Sequence, residues 1–270
     1  MRYSGIQPHY FPRLHYFARM MAADVFVLRD EVQFVRKHKY PDGKTGKSYQ
    51  VHTPIKHSAG IHFLMTPILH NGKESISKTR VLYSNHWVES HLKSVEIFYR
   101  KSLNFKILFP EIQAILKNKY KTLAELNIAT ILWGLLRLGG LEKVSLEDLS
   151  IDYVLPKLKK QTAFRLKSLK KASESKILAK LQNATPNEKI VTLIKEAGAN
   201  EDYCGGTGFT AYMDKDLFKK NGIKIVVQDW KCREYPQLFT KQRGFIPNLS
   251  IIDLLMNVPS KKALEIIKGE

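Results

Sequence analysis

Cysteine is nearly absent from this 270-residue chain: only Cys204 and Cys232 occur. Two thiols make no disulfide framework, and their spacing suits no structural zinc site. Histidine is missing after His91, so a Cys204 nucleophile would need a base from the N-terminal part; a small buried thiol is the expectation. Long apolar runs are also missing. DVFVLRD and GIKIVVQD are short and bounded by polar residues, against the ~20 apolar residues of a membrane-spanning helix. MRYSGIQPHYFP shows no charged-then-apolar leader. The expectation is a soluble cytoplasmic protein with no transmembrane segment. Acidic residues are the last shortage: 25 Asp and Glu against 44 Lys and Arg, a formal charge of +19. That balance favours nucleic acid, phosphates or an anionic membrane face, unless the lysines only coat a solvated surface.

At 44% hydrophobic, the chain is long enough for one large α/β domain, or a core with an added subdomain. Its first segment carries the clearest pattern. RYSGI reads as a strand, QPHYFPRLH as a polar turn, YFARMMAA as a helix and DVFVLRDEVQF as a second strand. Polar and aromatic groups gather where the strands should end: Gln7, His9, Tyr10 and His15 after the first, Asp30, Glu31 and Gln33 after the second. In an open parallel sheet, ligands bind beyond the carboxyl ends of the strands.

The rest divides into three parts. Residues 1–154 continue with a polar loop around a Pro-Asp-Gly turn, a strand over Ser48 to Ile55 and a partner within Ile61 to Leu69. Helices follow over Trp87 to Lys101, from Pro110 as a first-turn proline, and over Thr122 to Leu138 with Gly139-Gly140 as the stop. Residues 155–183 are rich in lysine with leucines interspersed, which predicts one or two basic amphipathic helices. Residues 184–270 open on a capping box, Thr185-Pro186-Asn187-Glu188, whose helix stops at Gly198. A strand over Glu201 to Cys204, the turn Gly205-Gly206-Thr207-Gly208, a helix to Lys220 and the strand IKIVVQD make a second strand–turn–helix–strand unit. Right-handed crossovers make its strands parallel. A last helix begins at Ser250, with Asp253 in capping-box spacing. The fold class expected is α/β: a mostly parallel sheet of nucleotide-binding type, with a helical segment and a basic helical insertion.

QPHYFPRLHYF, AADVFVLRDEVQF, YCGGTGFTAYMDKDLFKKNGIKIVVQDW, YPQL and FIPNLSIIDLLMN, in that order, resemble the motifs of the WbqC-like protein family. The resemblance implies a protein of O-antigen or other surface-polysaccharide metabolism, and glycyl or aminoacyl transfer to a sugar. It places Gln7, Pro8, Tyr10, Pro12, Tyr16 and Phe17 on the first motif, and Asp30, Glu31 and Gln33 on the acidic one. Tyr203, Gly206, Gly208, Tyr212 and Asp214 fall on the glycine motif; Tyr235, Gln237, Pro247, Ser250 and Asp253 fall on the last. Three features depart from the pattern: His15 stands at a usual glycine, HKYPDGKTGKSYQ replaces an Asn- and Arg-rich stretch, and Leu155 to Asn183 looks inserted. The second departure puts a substrate or phosphate contact in doubt. Lys37, Lys39, Lys44 and Lys47 bring charge there without an arginine's bidentate fork.

Each candidate has a plain structural reading beside its chemical one. Gln7 can read an amide, a base edge or a sugar hydroxyl, or satisfy its own turn. Asp30 is the candidate general base, or a strand-end acid capping a turn; Glu31 can pair with a basic residue. His15, near a helix start, is placed to meet phosphates, although most such histidines are structural. Gly205, Gly206 and Gly208 can present N–H groups to a diphosphate, or simply turn the chain. Tyr203 and Tyr212 can stack on a ring or line the core. Ser250 and Asp253 have the spacing of an N-cap and its partner; Tyr235 and Gln237 sit in a loop. The leading expectation is a transferase acting on an amino sugar or nucleotide-sugar. Asp30 is its base, with Gln7 and Gln33 orienting, and His9, Tyr10, His15 and Glu31 nearby. Neither cofactor nor metal is specified by the residues. The alternative is an RNA- or polyanion-binding protein using Lys157 to Lys171, a stretch that an aminoacyl donor carried on tRNA would also require.

Overall fold

The computed structural model describes residues 1–39, 45–69, 72–181 and 183–269. Five strands make its central sheet: β1 (Arg2–Ile6), β2 (Val25–Leu28), β3 (Ser168–Lys171), β4 (Glu201–Cys204) and β5 (Lys224–Val227). They are all parallel, in the spatial order β5-β4-β1-β2-β3. The chain moves outward from β1 to β2 and β3, then restarts on the other side with β4 and β5. That is the order of a doubly wound sheet, and the seam between β1 and β4 is its topological switch point.

Strand alternation builds the layers, because successive side chains leave opposite faces. From β2, Phe26 and Leu28 join a core with Phe17, Trp133 and Ile251, while Val25 and Val27 join a second core with Tyr3, Ile194 and Phe218. The first core is formed with α1 (Leu14–Ala22), α2 (Trp87–Tyr99), α3 (Phe105–Lys117), α4 (Leu123–Leu138) and α5 (Ile151–Lys159). The second uses α6 (Pro186–Glu196), α7 (Gly206–Ala211) and α8 (Lys215–Lys220), of which α6 and α8 supply its apolar contacts. A short α9 (Thr240–Arg243) precedes α10 (Ile251–Asn257) and α11 (Ser260–Lys268), which return to the first core. Helix α4 is buried on nearly every side and starts with the capping box of Thr122 and Glu125. Gly134 of α4 lets it pack against Phe17; a Cβ there would lie 2.6 Å from the phenyl ring.

The expected elements at both ends are present: β1, α1 and β2, then α6 with its Thr185–Glu188 capping box, β4 and β5. The strand near Ser48 to Ile55 runs from His52 to His57 and pairs antiparallel with Gly60–Met65. Two shorter antiparallel pairs join Lys37–Lys39 to Thr45–Lys47 and Ile68–Leu69 to Arg80–Val81. The Pro-Asp-Gly turn and Lys44 lie outside the described residues; Lys37 and Lys47 are exposed.

Several details differ from expectation. Helix α3 starts at Phe105 rather than Pro110, which lies inside it. Burial of Leu108, Ile112 and Ile115 carries the helix through the proline, although a proline removes an intrahelical bond. The helix expected up to Lys220 is two, because the Asp214 carboxylate accepts from Leu217 N and starts α8 afresh. The basic segment is not a helical insertion. Past Lys159 its described residues hold only short 3₁₀ turns and the edge strand β3, which pairs with β2. Leu169 is buried while Lys170 faces solvent, as suits an edge strand that must not pair further.

Candidate functional site

Between the ends of β1 and β4 opens a cleft of about 350 Å³. The loop after β1 is fixed by its own strain and by three hydroxyls. Phe11 has a left-handed backbone, φ 37°. Its N–H donates to Thr130 Oγ1 (3.0 Å), and its carbonyl accepts from Thr53 Oγ1 (2.6 Å) and Ser250 Oγ (3.1 Å). Prolines 8 and 12 stiffen the rest of the turn. The loop thereby holds Gln7 and His15 opposite the glycine turn after β4. Gln7, His15, Gly205, Gly206, Gly208 and Tyr212 all line the cleft, so those sequence candidates do come together. The Gln7 carboxamide makes no side-chain hydrogen bond among the described residues.

The cleft residues not singled out from the sequence include the polar side chains of Tyr3, Arg19, Arg29 and Asp202. Arg19 donates from Nε to Gln228 Oε1 (2.8 Å), and Gln228 Nε2 in turn donates to the His15 carbonyl (3.0 Å). Gly205 makes room for this guanidinium: a Cβ would meet Arg19 Nη2 at 2.6 Å. Arg29 donates from Nε to Glu31 Oε1 (2.6 Å), and both side chains are largely buried. Asp202 is buried and forms no salt bridge among the described residues. Burial pushes its carboxyl up to about 7, against the pull of Arg19 and Arg29.

His15 donates its backbone N–H to Asn248 Oδ1 (3.1 Å), and its Nδ1 lies 3.1 Å from the same oxygen. With that oxygen facing the ring, Nδ1 carries the proton and Nε2 is the acceptor. Burial pushes His15 down to about 4, against its bond to Asn248, and the charges of Arg19 and Arg13 add to the fall. The imidazole is therefore neutral at neutral pH. Cys204 also lines the cleft, but burial pushes its thiol up to about 12, so it is no ready nucleophile. Both cysteines are free.

The acidic motif splits at this point. Arg29 lines the cleft and Glu31 fixes Arg29, but Asp30 points elsewhere. Its Oδ1 accepts from Ser173 N (2.9 Å) and its Oδ2 from Ser173 Oγ (2.6 Å). It opens on a separate cavity of about 680 Å³ beside the start of α4 and the end of β3. The backbone after β3, expected to be helical insertion, thus holds the presumed base. Gln33 is exposed and donates to the Gly72 carbonyl (2.6 Å), outside the cleft.

Other candidates serve packing. His9 lies between the rings of Tyr16 and Tyr49, 5.0 and 5.5 Å away. Tyr10 is buried with its hydroxyl 3.0 Å from His91 Nδ1. The Arg2 guanidinium covers the Tyr203 ring at 4.7 Å. Asp253 is no capping-box partner: Ser250 accepts from Ile252 N, and Asp253 instead accepts from Tyr99 Oη (2.6 Å) and Tyr235 Oη (2.8 Å). Gln237 accepts from Lys56 Nζ (2.9 Å) beside this network. Among the described residues no group of three or more His, Cys, Asp or Glu is placed to hold a metal ion, and no helix is long and apolar enough to cross a membrane.

The model of the WbqC-like protein family matches residues 7–265, and the chain belongs to that family. It is similar to the uncharacterized protein Rv1507c of Mycobacterium tuberculosis, 24% identical over 94% of this chain and 92% of that one. No solved structure matches it.

Proposed function

We propose that this member of the WbqC-like family is a transferase of polysaccharide-precursor metabolism, joining an acyl or aminoacyl group to an amino sugar or nucleotide-sugar in the cleft between β1 and β4. The observation that carries the reading is the convergence of Gln7, His15 and the Gly205–Gly208 turn at the switch point of a doubly wound sheet, where such sheets bind ligands. The resemblance of the motifs supplies the reaction class.

In this reading the base is Asp202 rather than Asp30. Asp202 is in the cleft with a proton affinity near neutrality, where a general base works best. Asp30 is held by Ser173 and faces the other cavity. The amine nitrogen of the sugar attacks the acyl carbonyl carbon of an ester donor. The C–N bond forms, the ester C–O bond breaks, and the amine proton passes through Asp202 to the leaving alkoxide. Gln7, with a free carboxamide, orients the sugar.

The polyanion-binding reading has less support. Arg165 and Lys167 pair with Asp24 and Lys171 with Glu174, which leaves Lys159, Lys160 and Lys170 as the exposed charges of that stretch without an ion pair among the described residues. The test is incubation with a nucleotide-linked amino sugar and glycyl-tRNA, followed by mass spectrometry. An amide product that disappears in Asp202→Asn supports the reading; its persistence in that variant rules out the assigned base, and no product with any aminoacyl donor rules out the transfer.

A further inference from the structure

Resting on the reading of this cleft as the acceptor site, we propose that the acceptor is a diphosphate-linked sugar, its two phosphoryl groups held by the guanidinium groups of Arg19 and Arg29 with the Tyr3 hydroxyl as a third donor. This separates it from a free amino sugar, which presents no anion to either fork.

Each donor is fixed, and each keeps a proton facing the cleft. Arg19 is anchored through Nε to Gln228, and Arg29 through Nε to Glu31. Among the described residues the Arg19 Nη groups make no hydrogen bond, the Arg29 guanidinium beyond its bond to Glu31 faces only the Tyr3 hydroxyl, and no salt bridge ties either arginine to Asp202. A guanidinium anchored at one nitrogen still offers a planar fork, which matches the oxygens of one phosphoryl group. Two forks on different elements, α1 and the end of β2, suit two linked phosphoryl groups. Arg29 is 7% exposed, so it is held in place by its surroundings before any ligand arrives.

Tyr3 supplies the independent observation. It is 1% exposed and its hydroxyl proton has no acceptor; the Arg29 guanidinium beside it can only donate, whereas a buried tyrosine hydroxyl ordinarily finds an acceptor. Two positions along the same face of β1, Gly5 leaves no room for a Cβ because the Tyr3 hydroxyl fills that space. A glycine inside a strand weakens it; here it lets the phenol reach the cleft. The volume, about 350 Å³, lies at the low end of small-ligand sites, roughly 300–1,000 Å³. It encloses a diphosphate and part of what the diphosphate carries. Tyr212 lines the cleft yet is 59% exposed, a ring left for that remainder to stack on.

A diphosphate ester of this kind comes from nucleoside diphosphates or from prenyl diphosphates, and calorimetric titration of the full chain distinguishes them. The ligands are UDP, farnesyl diphosphate and free glucosamine, against wild type, Arg19→Gln and Tyr3→Phe. A diphosphate is expected to bind at least about tenfold tighter than glucosamine, with Arg19→Gln weakening it about tenfold or more and Tyr3→Phe about fivefold. Preference for UDP assigns a nucleotide-linked acceptor, and preference for farnesyl diphosphate a lipid-linked one; either supports the proposal. Tyr3→Phe keeps the ring and its packing, so it remains informative if Arg19→Gln does not fold. Glucosamine binding as tightly as the diphosphates, no diphosphate binding at all, or affinities unmoved by both variants overturns the proposal. Diphosphate binding without amide formation from any donor refutes the transferase reading and leaves the Arg19, Arg29 and Tyr3 diphosphate site standing without its role as an acceptor site.

Discussion

Asp202 and Asp253 are both buried carboxylates whose proton affinity burial raises, to about 7 and about 6. Their surroundings differ in kind. Asp253 is fully covered and takes hydrogen bonds from Tyr99 and Tyr235 on separate elements, with Lys56 and Gln237 close by. Asp202 stands at a cleft with two arginines in its field, no ion pair and no such donors among the described residues. A satisfied buried acid joins parts of a fold; one left unsatisfied beside open space is available for chemistry. The family motif includes Asp253 and omits Asp202, so the motif alone points to the structural member of the pair.

The comparison can be broken in four ways. The largest effect is expected from Asp202→Asn, which should lower amide formation about a thousandfold, within the range of a lost general base, and leave thermal stability at neutral pH unchanged or raised. Comparable loss of stability and activity together would make Asp202 structural. Asp253→Ala strands two tyrosine hydroxyls and should cost about 3 kcal/mol in denaturant unfolding, at about 1–3 kcal/mol per orphaned group; a cost under about 1 kcal/mol would contradict the structural role.

A pH series sharpens the same contrast. Asp202 binds its proton more tightly folded than unfolded, so its contribution to stability falls as pH rises from about 4 to about 7. The stability of Asp202→Asn minus that of wild type should therefore grow over that window, by at most about 1.4 kcal/mol per pH unit. His15 and His91, pushed down to about 4, act in the opposite sense, losing stability as pH falls, and cancel in the difference. A flat difference refutes the raised proton affinity. The smallest effect is expected from Asp30→Asn. The amide can still accept from Ser173 N and donate to Ser173 Oγ, so stability should fall by less than about 1 kcal/mol and turnover should stay within about threefold. A collapse of turnover would return the base to Asp30.

The two ends of the chain were legible in sequence because their strands are short apolar runs bounded by caps and glycines. DVFVL, GIKIVV and the Thr185 capping box each specify one local structure. Strand β3 was not, since Ser-Leu-Lys-Lys at a sheet edge buries one residue and reads as part of a lysine-rich helix. Gln7, His15 and the glycine turn meet in the cleft because they follow strands. Asp30 was placed in the same site because it follows β2, but strand alternation sends Arg29 into the cleft and Asp30 to the far cavity. Tyr3, Arg19 and Asp202 line the same cleft but give no strand-end signal, lying inside elements and apart in sequence. One signal was available: in RYSGI, Tyr3 and Gly5 share a face, and a strand glycine beside a tyrosine marks space made for the ring.

The most direct measurement is a crystal structure of the chain soaked with a nucleotide-linked amino sugar. The diphosphate should lie between Arg19 and Arg29 with the sugar amine toward Asp202. The same ligand seated in the cavity beside Asp30 and Ser173, with the β1–β4 cleft empty, would mean that the working site is the other one.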